Sequence, residues 1–206
     1  MRANNVRLRG PRVTIRPLRK QDLDVMSSWE AFEDPLYRLF DWPRRGKVEN
    51  GLWYADLVRD RRRVYYAVDD ERQTVIGRIS LREIHWHQSA RLGIGFGGQY
   101  VSQGYGTEAL RLFLDYYFQQ LGFQRMVLDV AAINVRALRC YERCGFKRTG
   151  SSYEPLPWHA DTVFLEEEPY RDLRQFVRHD HWRDVVLTYD MALDRDAWLA
   201  QRGAAD

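Results

Sequence analysis

The sequence predicts a single α/β domain of α+β type, with a central mixed sheet and helices packed on both of its faces. Three observations point there. Strand-like and helix-like segments alternate along 206 residues with no internal repeat or low-complexity tract. Two neighbouring strand patterns, Val64–Asp69 and Thr74–Ile84, are joined by the polar turn Asp70-Glu71-Arg72-Gln73 and read as a strand pair. A long amphipathic helix, opened by a glycine-rich turn, follows the next strand.

Composition bounds the classes of function. The length suits one domain, or one domain carrying an insertion. An apolar share of 45% with 14% aromatic residues is ample for a core, which excludes global disorder. Because 32 basic residues nearly balance 29 acidic ones, the net charge of +3 is too small to set up a strong general field. The basic knot Arg59-Asp60-Arg61-Arg62-Arg63 reads as solvated surface, so nucleic acid is not an expected partner. Met1-Arg2-Ala3-Asn4-Asn5 lead into no apolar segment, and no run approaches the ~18 residues that span a bilayer. No leader, no membrane partner and a cytoplasmic location are therefore expected.

The elements follow in order. Val13–Leu18 alternates as a short strand, and Lys20-Gln21-Asp22 begins a helical pattern that continues to about Glu33, where Pro35 and Pro43 interrupt it. A second helix fits Lys47–Arg59. After the strand pair comes a glycine-rich strand, Ala90–Gly97, a composition that marks a bulge or close approach by a ligand. From Gly106 to Leu121, the residues Leu110, Phe113, Leu114, Tyr117 and Leu121 share one helical face, and Gly122 suits the left-handed stop. Met126–Ala132 is a buried-type strand. Asn134 caps a helix that Gly145 ends. Phe146–Ser152 and Asp184–Leu193 read as the last two strands. Tyr153–Asp180 lies between them and is too long for a hairpin connection, so it reads as an inserted element with one helical turn near Tyr170–Val177.

Three apparent motifs carry little. Gly93, Gly95 and Gly98 match a dinucleotide fingerprint, but the helix that the fingerprint requires there begins only near Gly104. Cys140 and Cys144 lie four apart on one helical face, poorly aimed for a disulfide and without a second ligand pair for zinc. His85 with His87, and His179 with His181, lack an identifiable third ligand, so no metal is expected.

The informative stretch is Arg91–Gly145. In Gln103-Gly104-Tyr105-Gly106-Thr107-Glu108, glycines precede a helix whose first N–H groups have no intrahelical partner, an arrangement suited to a phosphate. Asn134 and Tyr141 add an amide and a phenol from a second helix. The combination suggests a pyrophosphate-bearing cofactor beside a proton donor, as in an acyl-CoA-dependent transferase.

From Val13 to Leu193 the chain resembles the GCN5-related N-acetyltransferases (GNAT), and more narrowly the branch that acetylates ribosomal-protein N-termini, polyamines and some antibiotics. The supports are Ile15-Arg16-Pro17-Leu18 with Asp22, Ile76-Gly77-Arg78-Ile79, the glycine loop, the Asn134…Tyr141…Gly145-Phe146 block and His181-Trp182-Arg183-Asp184-Val185. The resemblance implies a mostly antiparallel sheet whose central strands splay apart. It implies acetyl-CoA as cosubstrate. Ile94, Gly95 and Phe96 would present backbone groups to the pantetheine arm. Val101, Ser102, Gln103, Gly104, Tyr105, Gly106 and Thr107 would cradle the pyrophosphate, with Asn134 nearby. Val101 stands where relatives carry Arg or Gln, and Ser102 where glycine is frequent.

The implied reaction is direct attack of a neutral amine on the thioester. N–H groups near Phe96 would hold the oxyanion, and Tyr141, with a phenol pKa near 10, would protonate the leaving sulfur. Relatives often carry Glu where this chain has Arg91, which leaves Glu83, His85 or an acid of the first two helices as base. At pH 7 an α-amine of pKa about 8 costs roughly 1.4 kcal/mol to deprotonate, against over 4 for an amine near 10.4. A site without a strong base therefore favours a protein N-terminal α-amine, with a polyamine or other small amine next. The acidic run Glu166-Glu167-Glu168 reads first as plain surface and second as a lure for a cationic acceptor. The insertion is also a candidate contact in a homodimer. The alternative to an enzyme is a non-catalytic domain that binds acyl-CoA or a protein partner on the same fold.

Overall fold

The computed structural model describes residues 6–157 and 160–203; the reading of Met1–Asn5 lies outside the described residues. One mixed sheet forms the centre. Its strands are β1 (Leu8–Arg9), β2 (Thr14–Pro17), β3 (Val64–Asp69), β4 (Val75–His85), β5 (Ser89–Phe96), β6 (Arg125–Ala131), β7 (Lys147–Pro155), β8 (Val177–Asp180) and β9 (Arg183–Asp194). The order across the sheet is β1-β2-β3-β4-β5-β6-β9-β7, with β8 added to β9. Every pairing is antiparallel except β5 with β6.

That exception positions the site. β5 and β6 register only at Ser89↔Arg125, Ala90↔Met126 and Arg91↔Val127. β5 continues to Phe96 while still paired with β4 through Gly77↔Phe96. β6 turns instead toward β9 as far as Ala131↔Thr188. The sheet therefore splits beyond Arg91, and the β6-facing side of Gly93–Phe96 has no strand partner.

Helices cover both faces. On one side lie α4 (Tyr105–Asp115), α5 (Val135–Arg143) and α6 (Arg195–Gly203), whose Leu110, Phe113, Leu138, Tyr141 and Trp198 join the larger apolar core with Ile15, Ile79 and Leu92. On the other, α1 (Asp22–Ser27) and α3 (Lys47–Arg59) bury Leu23, Met26 and Leu57 against Ala67 and Val75. The alternation of side chains along the central strands feeds these two cores separately.

Several expected boundaries shift. The first helix ends at Ser27 and not near Glu33. Pro35 does not interrupt a helix; it is the first residue of α2 (Pro35–Arg38), capped by the Asp34 carboxylate, which accepts from Leu36 N at 2.9 Å. The long helix loses α geometry after Asp115 and runs as a π turn over Tyr116–Gln120, closed by Leu121 N donating to Tyr116 O at 3.0 Å. The wider turn places Tyr116, Tyr117 and Phe118 all in the core. Gly122 and Gly145 stop their helices at φ +71° and +90°, as expected.

Within Tyr153–Asp180, β7 extends to Pro155, a 3-10 turn covers Val163–Glu166, and another covers Arg171–Phe176 where one helical turn is expected. The segment then returns as β8 on β9. Leu165 and Val177 pack with Leu36, Ile133 and Val186, and the Tyr170 hydroxyl donates to Asp34 Oδ1 at 2.9 Å. The insertion is thus docked on α2. Among the described residues no helix is long and apolar enough to cross a membrane.

Candidate active site

The glycine loop is built by backbone conformation first. Gly104 sits at φ +87° and caps α4, and Ser102 occupies the same left-handed region at φ +61°. That is the physical reason glycine suits position 102. Within α4 the first intrahelical donor is Glu108 N, bonded to Gly104 O at 3.1 Å. The N–H groups of Ser102 through Thr107 have no protein acceptor among the described residues, so a row of donors at a positive helix end faces a cavity of about 260 Å³.

Of the residues that the sequence nominates to bind the cofactor or donate the proton, all line this cavity except Gln103 and Tyr105. Gln103 turns outward, its Nε2 donating to Gln99 O at 2.8 Å. Tyr105 lies under the Arg12 guanidinium at 4.8 Å. Neither residue lines the cavity, although their N–H groups, like those beside them, have no protein acceptor among the described residues. Gly106 forms the wall; a Cβ there would meet Phe96 at 3.6 Å, ordinary packing, so the protein alone does not demand glycine and the open space belongs to the cavity. Asn134 uses Oδ1 to cap α5, accepting from Ala137 N at 3.1 Å, which leaves its Nδ2 donors for the cavity.

Sequence reasoning missed the residues that brace the loop. Arg12 donates through Nη1 to Gln103 O at 3.0 Å and pairs through Nε with Glu108 at 2.9 Å. Glu108 would otherwise set a bare carboxylate in the first turn of α4, where a phosphate is expected. Arg136 and Arg143 of α5 line the cavity too, and Arg136 stacks on Tyr37 at 4.0 Å, tying α5 to α2. The Cys140 thiol borders the cavity with Thr107 Oγ1 at 3.4 Å; Cys140 and Cys144 form no disulfide.

Tyr141 projects from α5 into this space beside the split of β5 and β6, its ring tilted against Phe146 at 5.8 Å. Burial raises its phenol well above the ordinary value, with the Cys140 thiol and Asp129 adding to the rise. The phenol therefore stays protonated through the ordinary phenol range and can donate a hydrogen bond there.

The other side of the split offers a second cavity of about 230 Å³ that meets the first along Gly95, Phe96 and Phe40. Trp42, Trp53 and Tyr65 give it an aromatic lining, and Asp41, Arg45 and Arg78 supply its charges. The candidate bases Glu83 and His85 line neither cavity. Arg91 explains Glu83: its Nε holds Glu83 Oε2 at 2.9 Å and its Nη1 holds Asp129 Oδ1 at 2.9 Å. In the insertion, Glu166 and Glu168 pair with Arg174 and Arg171, and the acidic run reaches neither cavity.

Two glycines of the apparent dinucleotide fingerprint, Gly93 and Gly98, and their neighbour Gly97 have packing reasons. A Cβ on Gly93 would meet Ser80 Oγ at 2.5 Å, on Gly97 the Trp29 ring at 2.7 Å, and on Gly98 the Glu30 carbonyl at 2.8 Å. They let β5 and the loop after it lie close against β4 and the end of α1.

Comparison with known proteins agrees with this geometry. Residues 12–147 match the acetyltransferase (GNAT) domain family. Spermidine N(1)-acetyltransferase of Vibrio cholerae is 30% identical over 174 residues, covering 79% of this chain and 90% of the relative. The Escherichia coli K12 protein of the same name is 27% identical over 139 residues, covering 67% and 74%. The crystal structure of the Vibrio cholerae enzyme in complex with CoA and spermine superposes with a TM-score of 0.69 at 22% identity, covering 92% of this chain and 99% of that one. The chain belongs to the GNAT family and is an acetyl-CoA-dependent N-acetyltransferase.

Proposed function

We propose that acetyl-CoA lies with its pyrophosphate on the N–H row of Ser102–Thr107 and its acyl arm along the unpaired edge of Gly93–Phe96. The acetyl group passes directly to a primary amine that enters from the Gly95–Phe96 side. The observation that carries this reading is the convergence of unpaired helix-start donors, a free strand edge and the Tyr141 phenol on one cavity. The neutral amine attacks the thioester carbon, and a strand-edge N–H holds the developing oxyanion. Tyr141 donates a hydrogen bond to the departing sulfur. As the C–S bond breaks, Tyr141 passes its proton to the sulfur, and the proton given up by the nitrogen of the new amide returns to the phenolate directly or through water, so thiol and neutral amide leave with the phenol restored.

The acceptor we favour is an α-amine of low pKa, a protein N-terminus or a small molecule of like basicity. Among the described residues Asp41 is the one carboxylate that lines either of these two cavities, and an amine of low pKa needs the least help from a base. The second reading is a polyamine, favoured by the names of the relatives. Isothermal calorimetry of the purified protein with CoA tests the cofactor half, and absence of heat would remove it. Thiol release from acetyl-CoA with peptide N-termini, polyamines and aminoglycosides tests the acceptor half.

A further inference from the structure

The second cavity has a chemistry that a fully cationic acceptor does not explain. Arg78 leaves β4 opposite Gly95 and lies across the strand edge, its Nε 3.8 Å from where a Gly95 Cβ would stand. No carboxylate pairs with it among the described residues. Its guanidinium stacks on Trp42 at 4.8 Å, and Arg45 stacks on the same ring at 5.4 Å and on Trp53 at 5.7 Å. Stacking satisfies the flat faces of guanidinium groups and leaves their N–H edges unused. Arg45 Nη1 and Trp42 Nε1 are buried donors without an acceptor among the described residues. Buried donors of this kind are rare because each costs free energy until something accepts from it.

We propose that this cavity recognises an anionic group on the acceptor. The substrate is then a primary amine that also carries a carboxylate or a phosphate, together with a flat apolar portion that fits between Trp53, Tyr65 and Phe40. The proposal rests on the transferase reading above and names its substrate class. The anion accepts from Arg45 Nη1, Trp42 Nε1 and the free edge of Arg78. The amine is thereby held at the Gly95–Phe96 edge, where the two cavities meet. Asp41, the one acidic residue on the wall, uses Oδ1 to accept from Phe32 N at 3.1 Å and has Oδ2 to face the ammonium. A polyamine brings positive charge along its whole length against two arginines, so this chain departs from the substrate that names its relatives. Burial lowers the basicity of Arg78, in keeping with a cation awaiting an anion.

The test uses matched amines: phenylalanine, its carboxamide, O-phosphoethanolamine, ethanolamine and spermidine. Acetyl transfer is measured by thiol release, and binding to the CoA-loaded protein by calorimetry. With rates referred to the unprotonated amine, so that the less basic amine of each neutral partner does not count in its favour, the anion-bearing member of each pair should exceed its neutral partner at least about tenfold in kcat/KM. The phenylalanine and O-phosphoethanolamine arms separate carboxylate from phosphate. Arg45→Gln should collapse that ratio toward one and Arg45→Lys should restore part of it; a merely structural arginine would change both substrates alike. Equal rates within the pairs, or spermidine as the best acceptor, would overturn the anion site while leaving the transferase intact. Binding selective for the anion without turnover would support the site and overturn the transferase. Neither binding nor turnover would overturn both.

Discussion

Ser102 and Gly104 share left-handed backbone, but only one is glycine. An L side chain there costs ~1–2 kcal/mol, partly offset by the lower chain entropy that a non-glycine residue gives the unfolded state. Ser102→Gly should therefore stabilise the fold by about 0.5–1 kcal/mol, a rise of roughly 1–4 °C in Tm by thermal melt. Gly104→Ala should do the opposite, because its Cβ would also meet Arg12 Nη2 at 3.0 Å, and the displaced loop should weaken CoA binding in calorimetry. Tyr141 makes a prediction about pH. Its pKa is raised, so the phenol stays neutral as pH climbs through the usual phenol range, and no activity is lost to its ionisation. The rate should rise as the acceptor deprotonates and then level off through about pH 9.5; a descending limb centred below 10 would contradict a buried phenol. Tyr141→Phe should lower kcat by ~10²-fold or more with CoA affinity nearly unchanged, and equal turnover would remove Tyr141 from the chemistry.

At the scale of elements, the motif Ile15-Arg16-Pro17-Leu18 with Asp22 finds its cause in an ion cluster. Arg16 grips Asp22 through Nη1 at 2.7 Å and Asp69 through Nε at 2.7 Å, all three nearly excluded from solvent. This joins β2, β3 and the start of α1, the helix whose Asp24 accepts from Asn50 of α3, and Trp53 of α3 lines the second cavity. Arg16→Met leaves two facing buried carboxylates, and should destabilise the fold by about 3–5 kcal/mol in urea titration. Burial already pushes the Asp69 carboxyl up against the pull of Arg16, so loss of the arginine should favour its protonation and soften the penalty toward acid pH. Local signals made the glycine loop, the Asn134 cap and the long helix face readable, because each lies within one turn or one period of the chain. The Asp34-Pro35 start of α2 had a signal that was read as an interruption. The two-residue β1 and four-residue β8 are too short for periodicity to register. Trp42 and Arg45 share the loop between α2 and α3, but Arg78 comes from β4, and no spacing in the sequence brings it to them.

Over the whole molecule, the splitting sheet leaves two cavities joined at one strand edge, and the aromatic core that rigidifies this arrangement also fixes its response to alkali. Tyr66, Tyr117 and Tyr141 are buried on the α4–α5 side, and desolvation raises the phenol of each well above 10. Their folded pKa values exceed the unfolded one, so the folded state keeps protons that the unfolded state releases. The contribution is fully present below pH 10 and is lost as pH rises above it. Each group removes about 1.4 kcal/mol per pH unit, so the three together give a slope of about 4 kcal/mol per unit. Against a typical domain stability of ~5–15 kcal/mol, that slope predicts cooperative unfolding within roughly one to four units above pH 10. Stability from urea titrations should be flat with respect to these groups below pH 10 and fall steeply beyond it, with tyrosinate absorbance appearing together with loss of structure. Tyr141→Phe removes one titrating group while keeping the ring against Phe146, and should flatten the slope by about a third. Tyrosinate absorbance from all three residues before unfolding would mean that this core admits water, and the protonated donor at the thioester would be lost with it.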